Sequence, residues 1–289
     1  MTNLLPSPAW VESDPNEVLR ATDPHAIEIS VVLPCLNEEA SVAECVSSIQ
    51  DTLDVVGKTY EVIVVDNGSS DGSAVRAGAA GAHVVQEPIA GYGSACRAGL
   101  DAAKGRHLVL GDADGTYDFS IVPHLVALLD EGSDMVLGNR LEGDMEPGAM
   151  PWMHRRLGTP LLTGFVNVLF GTDIGDVNCG IRAITRSAYS RLEVEATGME
   201  FASEMVVRAT QRGLILGELP VNYRRRRSGE AKLRTWRDGW RHLRLVVGSW
   251  MTHGRRTESA APLVDIVTGS DVIIELREAE EPDANRLRI

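Results

Sequence analysis

Short runs rich in β-branched residues alternate with amphipathic segments from residue 29 onward, and this alternation constrains the fold more than any other feature. The apolar runs cover 29–33, 60–65, 83–86, 107–110 and 135–137, and the segments 41–53, 73–80, 93–103 and 120–130 carry apolar residues at helical spacing. Strand and helix in turn at this spacing predict an α/β fold, a mostly parallel central sheet with helices on both faces. In such sheets ligands gather at the carboxyl ends of the strands. Polar clusters follow three of the runs: Pro34-Cys35-Leu36-Asn37-Glu38, Asp66-Asn67-Gly68-Ser69-Ser70-Asp71-Gly72, and the loop after 107–110. All three are expected along one edge.

The last of these loops reads Gly111-Asp112-Ala113-Asp114-Gly115. In extended geometry the side chains of residues i and i+2 leave the same face. Asp112 and Asp114 can then reach one hard cation together, and Mg2+ or Mn2+ accepts such oxygens while keeping positions for phosphate. Read alone, the same acids also suit a turn or a helix cap, and Asp118 fits a helix N-terminus. Asp66 has two readings as well: a carboxylate that accepts from a base N–H or a ribose hydroxyl, or an Asx-turn capping the next helix. Glu38, near a helix start, is favoured there by the helix dipole in any case. Gly91-Tyr92-Gly93-Ser94-Ala95-Cys96 makes a poor dinucleotide fingerprint because it follows the third run instead of the first. It reads better as a permissive loop where backbone comes close to a ligand.

Charge narrows the partners. The chain of 289 residues carries 28 Lys and Arg against 41 Asp and Glu, a formal charge of −13, which excludes a nucleic-acid binder working through bulk electrostatics. The bases are segregated. Arg224, Arg225, Arg226, Arg227, Lys232, Arg234, Arg237, Arg241 and Arg244 face only Glu230 and Asp238 over 224–244. Cys35, Cys45, Cys96 and Cys179 show neither metal-ligand spacing nor a dense disulfide pattern, so reduced thiols in a cytoplasm are expected. Residues 1–26, with Pro6, Pro8, Pro15 and Pro24 among acids, read as a flexible N-terminal arm and not as a signal peptide. No run reaches the roughly 20 apolar residues that span a bilayer.

Residues 139–185 break the alternation, with a Gly-, Pro- and Met-rich stretch at 143–151 and a helix expected over 158–170. So long an excursion inside a domain usually carries function. A helix over 199–212 and a strand over 214–220 lead into the basic segment. In 233–250, Leu233, Trp236, Trp240, Leu243, Val247 and Trp250 recur at three and four, with arginines on the other faces. That pattern fits a core-facing amphipathic helix, and equally a helix lying in an anionic membrane interface. The chain is accordingly divided into a catalytic domain (27–232), a basic, Trp-bearing helix (233–252) and a tail (253–289). In the tail, 263–267 and 272–276 read as a hairpin before an acidic, disordered end.

Pro34-x-x-Asn37-Glu38, Val64-Val65-Asp66-Asn67-Gly68-Ser69-Ser70-Asp71-Gly72, Gly111-Asp112-Ala113-Asp114-Gly115, Gly138-Asn139-Arg140, Asp176-Val177-Asn178-Cys179-Gly180-Ile181-Arg182, Gly198-Met199-Glu200-Phe201-Ala202-Ser203-Glu204-Met205 and Arg227-Ser228-Gly229-Glu230-Ala231-Lys232-Leu233 occur in this order. They resemble the motifs of family 2 glycosyltransferases, more narrowly the branch of dolichyl-phosphate mannose and glucose synthases. The resemblance implies a GT-A (nucleotide-diphospho-sugar transferase) fold, a UDP- or GDP-hexose donor, Mg2+ or Mn2+, and inversion at the anomeric carbon. It implies a donor-nucleotide pocket lined by Pro34, Leu36, Asn37, Glu38, Asp66 and Gly91, with Asp112, Ala113 and Asp114 at the diphosphate and the metal on Asp112 and Asp114. Arg140, Arg155, Arg156, Arg227 and Lys232 would hold the acceptor phosphate or the diphosphate. Arg140, Asp176 and Glu204 join the two aspartates as catalytic candidates. Asn67 departs from the pattern, standing where many relatives have a second Asp, which removes one contact to base or ribose. Thr116 sits where polyprenyl-phosphate mannose synthases often offer Gln, which leaves a third metal ligand open.

The chemistry accounts for the arginines. A phosphate-monoester acceptor, with a second pKa near ~6, is largely dianionic at neutral pH and needs positive charge more than a base. An alcohol acceptor needs a general base, for which Asp176 and Glu204 are the candidates, although Glu204 also makes a plain helical pair with Arg208. The expected activity is transfer of a hexose to a polyprenyl phosphate at the inner face of the membrane, with peripheral contact through 233–250. A soluble alcohol acceptor such as a natural-product scaffold is the alternative, and a nucleotide-sugar-binding protein without turnover is the alternative of another class. No nucleic-acid partner is expected, and homo-oligomerisation is left open.

Overall fold

The computed structural model describes residues 26–226 and 235–253, with side chains in the second segment from 239 to 252. The expected arm up to residue 25, Arg227, Lys232 and the expected tail hairpin lie outside the described residues. Seven strands form one sheet: β1 (Ile29–Cys35), β2 (Tyr60–Asp66), β3 (His83–Gln86), β4 (His107–Leu110), β5 (Met135–Asn139), β6 (Arg182–Thr185) and β7 (Leu216–Pro220). Their order is β3-β2-β1-β4-β6-β5-β7. β6 runs antiparallel to both its neighbours, and every other pairing is parallel.

Eight α-helices accompany the sheet among the described residues: α1 (Val42–Val55), α2 (Ser73–Ala79), α3 (Tyr92–Ala102), α4 (Val122–Asp130), α5 (Thr159–Phe170), α6 (Arg186–Leu192), α7 (Phe201–Gln211) and α8 (Thr235–His253). The strands alternate their side chains between two cores. Val31 and Leu33 of β1 join Val46, Ile49 and Leu53 of α1 and Leu125 of α4 on one face. Val32 joins Leu100 of α3, Met205 and Val206 of α7 and Val246 of α8 on the other. Both faces of the central strands are thus covered, which explains why β1 and β2 read as continuous apolar runs.

Register brings the three polar clusters together. Cys35 lies opposite Asp66, Asp66 opposite Gln86, and Val32 opposite Leu110, so four parallel strands run toward one edge. The Gly111 amide then donates to the Val32 carbonyl (3.1 Å), which starts the Asp112 loop against the end of β1.

The sequence pattern missed β6 and α6. β6 is four residues long, opens on an arginine and lies inside the excursion, so it offers too little periodicity to be read. A π-helical turn, His154–Gly158, precedes α5 and was also unforeseen. In α8 the structure decides between the two readings of the apolar stripe. His242 and Val246 are buried, whereas Trp240, Leu243 and Trp250 face outward. The stripe of Trp240, Leu243 and Trp250 is therefore not the packed side: α8 packs through Leu245 and Val246, with Arg241 on Glu200 (2.6 Å) and His242 Nδ1 against the Ser203 hydroxyl (2.7 Å).

Leu33 is fully buried between sheet and α1. Leu33→Ala should destabilise the protein by about 2–5 kcal/mol through lost burial and an unfilled cavity, read as a lower midpoint in urea denaturation.

Candidate active site

Four carboxylates gather at the strand ends. Asp114 follows β4, and its Oδ1 accepts from the Thr116 amide (3.0 Å) and hydroxyl (2.6 Å). Its Oδ2 meets the Arg226 guanidinium (2.7 Å), which also reaches Oε1 of buried Glu38 (2.9 Å). Asp112 accepts from the Tyr92 hydroxyl (3.3 Å). A side chain at Gly180 would put a Cβ within 2.4 Å of the other Asp112 oxygen, so a glycine there makes room for the carboxylate. Between the two acids, the Ala113 carbonyl is held by the Ser41 hydroxyl (2.8 Å). Asp66 accepts from the Ser69 amide (3.1 Å).

Asn37, with a left-handed backbone (φ 54°), ties the first cluster to the second. Its side-chain oxygen accepts from the Ser70 amide (2.8 Å), and its backbone N–H donates to the Ser69 hydroxyl (2.9 Å). Pro34 and Leu36, half-buried, flank this junction.

The electrostatics of the pair fit a cation. The Asp112 carboxyl is pushed up to about 7, first by burial and then by the charge of Asp114, against the pull of Arg140 and Arg226. Two adjacent carboxylates that resist joint ionisation, with hard oxygen donors, suit Mg2+ or Mn2+. Among the described residues no group of three or more His, Cys, Asp and Glu converges as a metal site. Thr116 is committed to positioning Asp114, so the remaining coordination positions would fall to diphosphate and water. Entry of a cation at Asp114 Oδ2 requires Arg226 to give up its contact.

Arg140 and Asp176 form a buried, bidentate pair, with Nε to Oδ2 at 2.6 Å and Nη2 to Oδ1 at 2.9 Å. The guanidinium carbon lies 5.3 Å from the centroid of the Tyr223 ring, which in turn tilts against Tyr117. Glu218 of β7 accepts from the amides of Gly175 (2.9 Å) and Asp176 (3.0 Å), and burial pushes its carboxyl up to about 6. These contacts make Asp176 a positioning group for Arg140, and its carboxylate is not open to act as a base. Glu204 is committed too. It accepts from the amides of Glu195 (3.0 Å) and Ala196 (2.7 Å) and pairs with Arg208 (3.1 Å), which orders the 195–197 loop. Arg155 and Arg156 lie exposed on the π-helical turn, and the structure records no contact from them to the carboxylate cluster.

Asn67 has a role that the sequence did not show. Its side-chain amide nitrogen donates to the carbonyls of Glu87 (2.9 Å) and Ile89 (2.8 Å), and its oxygen accepts from the Gly91 amide (2.7 Å). Both amide hydrogens and the oxygen thus go into fixing the loop from β3 to α3. Gly91, at the end of that loop, adopts φ 145°, and a Cβ there would lie 2.0 Å from the Thr197 carbonyl. Asn67 thus reads as a loop anchor, and Gly91, a donor-pocket candidate, lies at the end of the loop it fixes. Tyr92, Glu218, Tyr223 and Arg226 were not singled out in the sequence; of these Tyr92 left a trace as part of the glycine loop, and Arg226 as one of a run of bases.

A family model for glycosyl transferase family 2 matches residues 30–192. The low-salt glycan biosynthesis hexosyltransferase Agl6 of Haloferax volcanii is 39% identical over 231 residues, 80% of this chain and 55% of that protein. The chain thus spans little more than half the length of this relative. A dolichyl-phosphate hexose transferase of the same organism is 32% identical over 207 residues, 71% of this chain and 86% of its own length. Among solved structures, glucosyl-3-phosphoglycerate synthase from Mycobacterium tuberculosis, in complex with Mn2+, UDP and glucosyl-3-phosphoglycerate, superposes with a TM-score of 0.61 at 25% identity, covering 88% of each chain. The seven-stranded sheet and this likeness bear out the expected nucleotide-diphospho-sugar transferase fold.

Asn67→Asp should weaken UDP or GDP binding by about tenfold, because a carboxylate cannot donate to the Glu87 and Ile89 carbonyls. If Asn67 instead contacted the base or ribose, the added acceptor would tighten binding; titration calorimetry separates the two. A second expectation concerns pH. The folded value of Asp112 lies above the unfolded carboxyl value of about 4, so its contribution favours folding while it is protonated and is lost as pH rises through about 7. Metal-free protein should therefore lose stability from about pH 4 to about pH 7, and Asp112→Asn should flatten that slope in thermal melts.

Proposed function

We propose that this chain, which belongs to glycosyl transferase family 2, is a metal-dependent, inverting transferase that moves a hexose from UDP- or GDP-hexose to a polyprenyl phosphate. The observation that carries this reading is the Asp112 and Asp114 pair at the end of β4, in one cluster with Glu38 and next to the strand end that bears Asp66. Asp66 and Glu38 are assigned to the nucleoside. Asp112 and Asp114 would hold Mg2+ or Mn2+, which when bound neutralises charge that develops on the departing diphosphate. The Mn2+ and UDP of the solved neighbour support a divalent ion and a nucleotide donor for this fold.

Arg140 is assigned to the accepting phosphate or the donor diphosphate. Asp176 and Tyr223 fix its guanidinium, so the charge is in place before the acceptor arrives. In the reaction an acceptor phosphate oxygen forms the new bond to the anomeric carbon, and the bond from that carbon to the β-phosphate oxygen breaks with its electrons passing to the nucleotide. A dianionic acceptor needs no base, which agrees with the commitment of Asp176 and Glu204 to other partners. The dolichyl-phosphate hexose transferase relative supports a lipid phosphate as that acceptor. Under this reading the protein works at the cytoplasmic membrane face with the Trp-bearing side of α8 toward the lipid, and Arg155, Arg156, Arg227 and Lys232 are further candidates for phosphate contact.

A soluble acceptor is the second reading, favoured by the solved neighbour, whose complexes include phosphoglyceric acid. One assay separates them: UDP- and GDP-hexoses, Mg2+ or Mn2+, and either polyprenyl phosphate or soluble acceptors. A lipid-linked sugar is the expected product; transfer only to a soluble acceptor overturns the leading reading, and donor binding without turnover points to a non-catalytic protein. Asp114→Asn should lower kcat by about 10²–10³-fold, and retention of full activity removes the assignment of the metal.

A further inference from the structure

Two helical segments of this protein carry their apolar residues on the outside. From the π-helical turn through α5, Trp152, Met153, Leu157, Leu161 and Val168 are exposed, Trp152 and Leu161 by 68% and 69%. Met153, Leu157 and Leu161 recur at four, and Val168 follows at seven, so they share one helix face. On α8, Trp240, Leu243, Trp250 and Met251 form a second outward stripe. α5 packs against α8, so the stripes lie on neighbouring helices. Exposed apolar groups in such a concentration mark a surface that meets a partner.

Charge identifies the partner. The chain has 41 acidic residues, yet 151–170 and 239–253 contain none, and between them they carry Arg155, Arg156, Arg241 and Arg244. Arg155, Arg156 and Arg244 are exposed, while Arg241 is spent on Glu200. A protein of net charge −13 is repelled by an anionic surface unless the approaching face lacks acids and carries bases, and this face does both. Two copies of the same basic face would repel each other, which argues against self-association through it.

We propose that the outer stripe of residues 152–168 and the outer side of α8 form a single face that docks on an anionic lipid bilayer, with 152–161 as a contact independent of α8. The proposal rests on the lipid-phosphate reading of the acceptor and says how that acceptor is met. Arg140 and Asp176 bracket the excursion that contains α5, and their ion pair closes it at its base. The docking segment is thereby anchored to the arginine assigned to phosphate.

The test uses vesicle co-sedimentation with the full chain, on phosphatidylcholine alone and on phosphatidylcholine mixed with phosphatidylglycerol, neither containing acceptor. The native protein should prefer the anionic vesicles. Trp152→Ser with Leu157→Ser and Leu161→Ser should weaken that binding by at least about tenfold, because three large apolar groups no longer enter the interface. The same variant should keep transfer to a short, water-soluble polyprenyl phosphate and lose transfer to a vesicle-embedded one. Trp240→Ser with Trp250→Ser provides an independent variant should the first fail to melt cooperatively. Unchanged vesicle binding in both variants overturns the proposal. So does a native dimer in sedimentation that the variants convert to monomer, with no vesicle binding. Vesicle binding without sugar transfer to polyprenyl phosphate would leave the docking face standing and remove the acceptor reading, so the two fail separately.

Discussion

The buried pair of Arg140 and Asp176 holds together more of this molecule than any other single contact. Arg140 follows β5, Asp176 precedes β6, and the whole excursion from 141 to 175 is tied off between them. Asp176 is fully buried and Arg140 nearly so. Removing one partner of such a pair leaves a charge stranded in low dielectric, at a cost of about 3–5 kcal/mol. Glu218 on β7 fixes the turn at 175–176 and Tyr223 supports the guanidinium, so three neighbouring strand ends contribute to one arginine. The antiparallel β6 is the strand that this arrangement threads back into the sheet.

The same constraint divides the site into two parts with different chemistry. On the β1, β2 and β4 side, Glu38, Asp66, Asp112 and Asp114 form an acidic floor, in which burial and the neighbouring charge of Asp114 oppose ionisation of Asp112. On the β5 and β7 side, Arg140 stands among tyrosines with its charge already oriented. Arg226 crosses from one to the other, reaching Glu38 and Asp114 from the segment after β7. That arginine supplies positive charge to the acidic floor.

The sheet and the position of the carboxylates were legible because both depend on local periodicity. A strand buried on both faces must be apolar throughout, and parallel strands must end on the same edge, so Asp66 and Asp112 were placed correctly before any contact was known. What was not legible depends on contacts between residues far apart in the chain. Arg226 and Glu38 are 188 residues apart, and nothing in a run of arginines says which one turns inward. Asn67 stands out in the sequence only as a departure from the pattern, and the structure shows the two carbonyls that its amide N–H groups meet. For α8, periodicity shows that a stripe exists and is silent on which side faces the core. The Ser203 and Glu200 contacts decide that. Asp176 and Glu204 are candidate bases as acids in the right segments, and the structure shows both already accepting from partners, Arg140 for Asp176 and two backbone amides with Arg208 for Glu204.

How a chain of charge −13 receives anionic ligands follows from screening. At physiological ionic strength the field of a surface charge falls away over about 8 Å, so a diphosphate or a phosphate inside the site responds to the nearest groups and hardly to the total. Within that range the acidic floor repels a nucleotide unless a cation comes with it, whereas the pair of Arg140 and Asp176, neutral as a unit, presents no such repulsion. Under the proposed reading the donor would bring its own neutralising ion, and the acceptor would meet a guanidinium fixed by the fold. A phosphate-bearing acceptor suits this asymmetry better than a neutral alcohol, for which a preoriented, desolvated arginine offers little and a committed Asp176 offers no proton acceptor.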